Sequence, residues 1–255
     1  MRTIKFLARK IYFNYLHPLS LYLHYVLKRD RYRLSNLPKR NSDKVVIVGT
    51  GPSLLEKDIV ILKNRGYDIV GVNGIIRYLS KESLSLLDYY VIQDIQVYDK
   101  LQDDINKCLS EEKVLYGSSL EYKYCRKLTS KNIYPLHMMG HISIPFKIPY
   151  KTKFSLNGKK VVYDGYTVVY SAVQLMYSLG YSRIALLGID AGYSVNVQDR
   201  NIVDIGKVDP SYNTAGERIN YAMGIASDFL RDRSVAFYNY TRGGNLKTVI
   251  RKSLE

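Results

Sequence analysis

The chain has 255 residues, 46 % hydrophobic and 24 % charged, which excludes wholesale disorder and fits one sizeable α/β domain or two small ones. Its 38 Lys+Arg against 23 Asp+Glu give a net charge of +15, but residues 1–40 hold ten of the cations and one acid, Asp30, so this arm carries +9 and the rest only +6. Cys108 and Cys125 are the only cysteines and lack metal-ligand spacing, and no apolar run is long enough to span a bilayer. Arg9 and Lys10 interrupt any secretory leader, so a cytoplasmic protein is expected.

Residues 1–41 read as a basic amphipathic arm and linker. Apolar stretches around Phe6–Leu16 and Leu21–Leu27 flank His17-Pro18, which predicts two short helices, and RDRYRLSNLPKRN (29–41) is a basic linker. Such an arm suits peripheral attachment to an anionic membrane surface, with cations toward headgroups and aromatics at the boundary. The alternatives are a helix packed on the body, or a dimer contact that implies a homo-oligomer. Nothing matches a helix-turn-helix, zinc-finger or RNP pattern, so no nucleic-acid partner is expected.

Residues 42–255 alternate short apolar runs with helical stretches. Strands are predicted at 44–49, 68–73, 88–93, 113–117, 183–188 and 234–240, and helices near 54–65, 79–87, 95–110, 118–127, 167–179 and 215–233. Runs that are apolar on both faces, alternating with helices, predict an α/β, Rossmann-like, mostly parallel sheet with helices on both faces. Residues 137–160 break the rhythm with two prolines, two glycines and many cations, and are expected to form a lid-like segment.

The first strand runs into Gly49-Thr50-Gly51-Pro52-Ser53-Leu54 and then a helix. Glycines at a strand end permit close ligand approach, Pro52 suits a helix start, and free amides there favour phosphate. The loop is neither a Walker sequence nor a complete dinucleotide fingerprint, since Leu54 and Asn73 stand where Gly and an acid belong. Asn73 and Asp94 end the next two strands and emerge at the same sheet edge. Asp94 is a candidate base, as is Asp190 at the end of RIALLGID. Gly165 and Thr167 open a helix and make a second phosphate-competent turn. No Asp-x-Asp occurs, no metal site is assigned, and His17, His24, His137 and His141 form no metal motif.

GTGPSL, the GVN and VIQD strand ends, GYTVVYSAVQLMYSLGYSRIALLGID and YNYTRGGNL together resemble the domain-of-unknown-function 115 family. That family includes flagellin-modifying motility accessory proteins and archaeal hydroxymethylpterin pyrophosphokinases. The loop and the Thr167–Asp190 block are also similar to bacterial sialyltransferases of glycosyltransferase family 42. That resemblance implies nucleotide contacts at Gly49, Thr50, Gly51, Pro52, Ser53 and Asn73, and phosphate contacts at Gly165 and Thr167. Thr50 replaces the Asn of the sialyltransferase loop, and Val168-Val169 its Ser-Gly. No histidine stands between Asp190 and the last helix, where Tyr212, Asn213 and Glu217 are the substitutes for the family's base.

The resemblance implies a glycosyltransferase of surface-polysaccharide or lipopolysaccharide synthesis, expected to be metal-independent, to act at the inner face of the cell membrane and to use Asp94 or Asp190 as base. It would use a nucleotide sugar, CMP-linked in the sialyltransferase pattern, as substrate rather than a bound cofactor, and a glycan or lipid-linked acceptor. Lys147 or Lys151 would neutralise the leaving phosphate. Two alternatives stand beside it. One is an ATP- and Mg²⁺-dependent pyrophosphokinase-like enzyme with Asp94, Asp164 and Asp190 as metal-side carboxylates. The other is a non-enzymatic nucleotide- or glycan-binding subunit.

Overall fold

Val45–Val48 are four consecutive β-branched residues at the centre of the sheet. In β1 (Lys44–Val48) Val45 and Ile47 enter one buried cluster, while Val46 and Val48 enter another on the opposite face. Covering both faces removes the alternation of a half-exposed strand, which is why the sequence shows a continuous apolar run. The computed structural model of the chain describes residues 2–16, 19, 23, 40–108, 114–117, 133–136, 138–139, 152–158, 161–192 and 212–254.

Beside β1 lie β2 (Tyr67–Val72), β3 (Tyr89–Ile92), β4 (Val114–Gly117) and β5 (Ile133–Leu136). The two-residue strands β6 (Met138–Met139) and β7 (Val162–Tyr163) form a small separate sheet. On the other side of β1 follow β8 (Arg183–Leu187), β9 (Ala236–Asn239) and β10 (Ile250–Arg251). The order is β10-β9-β8-β1-β2-β3-β4-β5, and every pairing is parallel. β1 and β8 pair from Lys44↔Arg183 to Val48↔Leu187, so their carboxyl ends are level.

Helices cover both faces. On one side, α2 (Glu56–Asn64), α3 (Ile75–Tyr78), α4 (Lys81–Ser85) and α5 (Ile95–Cys108) supply Ile59, Leu62, Ile75, Leu101 and Ile105 to a core with Val46, Ile69 and Ala185. On the other, α6 (Val168–Ser178) and α7 (Tyr212–Arg231) bury Val173, Met176, Met223 and Leu230 against Ile47, Val70 and Leu186. The chain is thus a Rossmann-like α/β protein with a parallel sheet. The six expected strands are present, five of them slightly shortened and β2 shifted by one residue toward the N-terminus. The helix expected over 79–87 is divided, with α3 starting earlier and α4 inside it, and the helix expected over 118–127 lies outside the described residues.

Of the segment 137–160 expected as a lid, residues 138–139 form β6, which pairs with β7, and residues 152–158 pack into the body. Phe154 stacks on Phe229 at 4.2 Å, the Ser155 amide donates to Gln174 Oε1 at 3.0 Å, and the Thr152 hydroxyl donates to the Asp164 carbonyl. Lys147 and Lys151 lie outside the described residues, as do all four histidines.

In the arm, α1 (Arg2–Ile11) continues through one π-helical stretch at Tyr12–Leu16; the expected second helix falls almost wholly outside the described residues. Where the arm meets the body, it is fastened at the amino-terminal edge of the sheet. The Asn41 and Ser42 amides donate to Asp68 Oδ2 at 3.0 and 3.2 Å, the Asn41 side-chain amide donates to Asp88, and Arg40 donates to the Gly180 carbonyl. Asp68 is the second residue of β2, and Gly180 precedes β8. No helix among the described residues is long and apolar enough to cross a membrane.

Candidate active site

The chain leaves β1 toward β2 on one side, while β8 returns on the other, so loops diverge at the carboxyl ends of β1 and β8. This is the switch point at which open α/β sheets form a ligand crevice. A cleft opens there, walled by the Gly49–Gly51 loop, Asn73, the first turn of α6, and Gly188–Gly192. Ile219 of α7 closes the far side, because Gly216 lets that helix approach closely: a Cβ at Gly216 would lie 2.6 Å from the Ala191 carbonyl oxygen.

The glycine loop is used differently from the expected free-amide cradle. The Gly49 amide donates to the Leu187 carbonyl at 2.9 Å and the Gly51 amide to the Gly188 carbonyl at 2.8 Å. The Leu54 amide turns back to the Gly51 carbonyl, and the Ser53 amide points at Asp190 Oδ2 at 3.4 Å. The loop amides therefore bind β8 and its extension, and the glycines serve that close approach. A Cβ on Gly51 would stand 1.9 Å from Asp190 Oδ2 and 2.7 Å from the Gly188 carbonyl oxygen. Gly49, Thr50 and Gly51 line the cleft; Pro52 is exposed outside it, and Ser53 sits behind, its hydroxyl buried without a partner.

Asn73 takes a left-handed backbone conformation, φ 47°, which Asn tolerates better than most side chains. Its amide donates to the Val91 carbonyl and its carbonyl accepts from the Tyr90 hydroxyl. With the backbone so fixed, the side chain lines the cleft, and its Oδ1 is buried without a hydrogen-bond donor. An orphaned acceptor of this kind costs stability unless a ligand supplies the donor.

Opposite stands the N-terminus of α6. Thr167 caps it, accepting from the Val169 amide at 3.3 Å, and Thr167, Val168 and Val169 all line the cleft. The Tyr170 amide is held in turn by the Thr167 carbonyl at 3.1 Å, and the aligned peptide dipoles of the helix make this the electropositive wall. Gly165 does not line the cleft. It is needed for packing, since a Cβ there would meet the Tyr170 ring at 2.3 Å.

Asp164, one residue earlier, is fully buried. Its Oδ1 accepts from the Tyr166 amide at 3.0 Å, and its Oδ2 has no partner. Burial pushes its pKa up to about 6, with the Tyr166 hydrogen bond and the nearby Arg218 charge pulling the other way. Arg218 lies over the Tyr166 ring at 5.5 Å, so both shape the turn that presents α6.

The two candidate bases are separated by their surroundings. Asp94 accepts from the Gln96 amide at 2.8 Å and its carbonyl accepts from Tyr98, so it caps α5; it is not among the cleft-lining residues. Asp190 lines the cleft and is only 7 % exposed. Asp94, Asp164 and Asp190 do not converge: no group of three or more His, Cys, Asp or Glu among the described residues could hold a metal ion. Tyr212 and Asn213 contribute the first residues of α7, whereas the Glu217 side chain is exposed.

The loop after β9 was not assigned from the sequence. The Asn245 amide donates to the Asp190 carbonyl at 2.6 Å, and Gly244, at φ 79°, passes so close that a Cβ would lie 2.1 Å from that oxygen. The Thr241 hydroxyl accepts from the Ile189 amide, and Arg242 forms a two-point pair with buried Asp58 at 2.8 and 2.9 Å. Two adjacent glycines after a strand were the available signal; the pairing, 184 residues apart in sequence, carried none.

The chain is similar to two proteins described as probable 3-deoxy-manno-octulosonic acid transferases. The one from Escherichia coli K12 is 24 % identical over 196 residues, covering 66 % of this chain and 68 % of the relative. The one from Salmonella typhimurium LT2 is 24 % identical over 184 residues, covering 62 % and 68 %. The family model of the 6-hydroxymethylpterin diphosphokinase MptE-like proteins matches residues 22–196, more than half of the chain and the whole stretch from β1 to the Asp190 strand end. The chain therefore belongs to the MptE-like family.

Proposed function

We propose that the chain is a glycosyltransferase that moves a sugar of the 3-deoxy-octulosonic acid class from a CMP-linked donor to a hydroxyl of a glycan or lipid-linked acceptor. Its place would be surface-polysaccharide assembly of the lipopolysaccharide kind, at the cytoplasmic face of the membrane. The observation that carries this reading is the switch-point cleft, with the capped N-terminus of α6 on one wall and the unpartnered Asn73 Oδ1 on another. The names of the two similar proteins support the sugar class.

In this reading the nucleoside lies over Gly49–Gly51, and an amino or hydroxyl group of it donates to Asn73 Oδ1. The phosphate meets the α6 N-terminus, where the helix dipole stabilises the charge that grows on the leaving oxygen. The acceptor oxygen forms the new bond to the anomeric carbon as the bond from that carbon to the phosphate oxygen breaks. The hydroxyl proton passes to Asp190, the carboxylate on the cleft wall, and the nucleoside monophosphate leaves. No divalent cation takes part.

The second reading, diphosphoryl transfer from ATP with a divalent cation, is favoured by the family match. A thermal-shift panel of CMP, CDP, UDP, GDP and ATP, with and without Mg²⁺, separates the two. A ligand at 100 times its Kd adds about 2.7 kcal/mol, which raises Tm by several degrees in a domain of this size. Stabilisation by CMP without Mg²⁺, retained in Asp190→Asn while sugar transfer falls, is the expected result. Stabilisation by ATP with Mg²⁺ and none by CMP overturns the glycosyltransferase.

A further inference from the structure

We propose that the N-terminal arm is a membrane tether, with α1 and its continuation lying in the headgroup layer of an anionic bilayer. Ile4, Leu7, Ala8 and Ile11 stand at i, i+3, i+4 and i+7, which puts them on one side of the helix. Every one of them is exposed, Ile4 by 74 %. Beyond them Tyr12, Tyr15, Leu16, Leu19 and Leu23 are exposed as well. Single exposed apolar residues need no explanation, but a continuous stripe does.

The charges select the occupant. Arg2, Lys5, Arg9 and Lys10 lie in α1, and residues 1–29 contain no acid. A second copy of the arm would bring the same positive charge against the first, whereas an anionic leaflet supplies the opposite charge and an apolar layer beneath it. Nucleic acid would satisfy the cations and leave the apolar stripe in water. Even with its continuation to Leu16 the helix is about 22 Å long, short of a hydrocarbon core of about 30 Å, so it lies on the bilayer rather than through it.

The attachment point fits this arrangement. Arg40, Asn41 and Ser42 fasten the arm to the amino-terminal edge of the sheet, opposite the cleft. Sixteen residues separate Leu23 from Arg40, a contour of up to about 55 Å. A tether of that reach holds the body at the surface and leaves the cleft free for an acceptor.

The test is flotation of the full chain with vesicles of phosphatidylcholine alone and of phosphatidylcholine mixed with phosphatidylglycerol. Two variants accompany it, Leu7→Glu with Ile11→Glu on the apolar face and Lys5→Glu with Arg9→Glu among the cations, each checked for an unchanged Tm. The chain is expected to float with the mixed vesicles, with partitioning at least about tenfold weaker on pure phosphatidylcholine and in either variant. No flotation, or flotation that both variants retain, overturns the tether. So does sedimentation showing a dimer that Leu7→Glu with Ile11→Glu converts to monomer without any vesicle binding. None of these results depends on which nucleotide the cleft takes.

Discussion

Asp164 holds a carboxyl where no solvent reaches it, beside the turn that aims α6 at the cleft. Its folded pKa of about 6 stands above the ordinary 3.8 because burial penalises the charge more than the Tyr166 amide and Arg218 favour it. Below about pH 4 both folded and unfolded chains carry the neutral acid, and the group costs nothing. As pH rises through 6 the folded chain must ionise a buried group, so that stability is lost, by about 3 kcal/mol in total. In Asp164→Asn the acceptor for Tyr166 is kept and the titration is removed. The stability of the native chain relative to this variant is therefore expected to fall by that amount between pH 3 and 7, as measured by urea unfolding. A pH-independent difference would show that Asp164 is not titrating in this window. Asp94 and Asp190 make the complementary point. Both read in the sequence as acids at strand ends, but a helix starts directly after Asp94 and takes its carboxylate as a cap, whereas Ala191, at φ 50°, turns the chain away after Asp190 and leaves that side chain at the cleft. The strand-end position was legible; which acid lines the cleft depended on the backbone that follows it.

The loop after β9 is held to α2 by the Arg242–Asp58 pair, and through the Asn245 amide it also fixes the Asp190 backbone. Asp58 is fully buried and Arg242 is 39 % exposed, so removing the guanidinium strands a charge in the interior while water retained some access to its partner. Arg242→Ala is expected to cost about 2–4 kcal/mol, and Asp58→Asn added to it is expected to recover part of the loss, since the stranded charge is then gone. A loss under about 1 kcal/mol in denaturant unfolding, or a double variant weaker than the single, would remove this pair from the account. Elements with a pattern long enough to read were found from the sequence: β1, β2, β3 and β8 as apolar runs, α6 and α7 as periodic ones. The missed elements lacked that length. β6, β7 and β10 have two residues each, which show no period at all. β5 carries Pro135, and it sits at the edge of the sheet, where a missing amide hydrogen leaves no ladder partner wanting.

At the scale of the molecule the +15 charge and the α/β body are separable quantities, because the arm holds most of the excess charge and none of the described core. Among the described residues the buried hydrophobic core begins at Val45, and the two clusters on either face of the sheet close without the arm. The last contacts that belong to both arm and body are those of Arg40, Asn41 and Ser42 with Gly180, Asp68 and Asp88. They bind the start of the body at the amino ends of β2 and β8, at the far edge from the Gly49–Gly51 loop and the α6 N-terminus. A chain beginning at Arg40 keeps all of these bonds. Its Tm is expected to lie within about 2 °C of the full chain's, equivalent to less than 1 kcal/mol in a domain of this size, and its nucleotide-induced shift is expected to be unchanged. Its flotation with anionic vesicles is expected to be lost. If removing residues 1–39 lowers Tm by many degrees, the arm is part of the hydrophobic core and its apolar stripe faces the body. If Tm holds but the nucleotide shift disappears, the arm completes the cleft, and the division of labour between the two edges of the sheet is wrong.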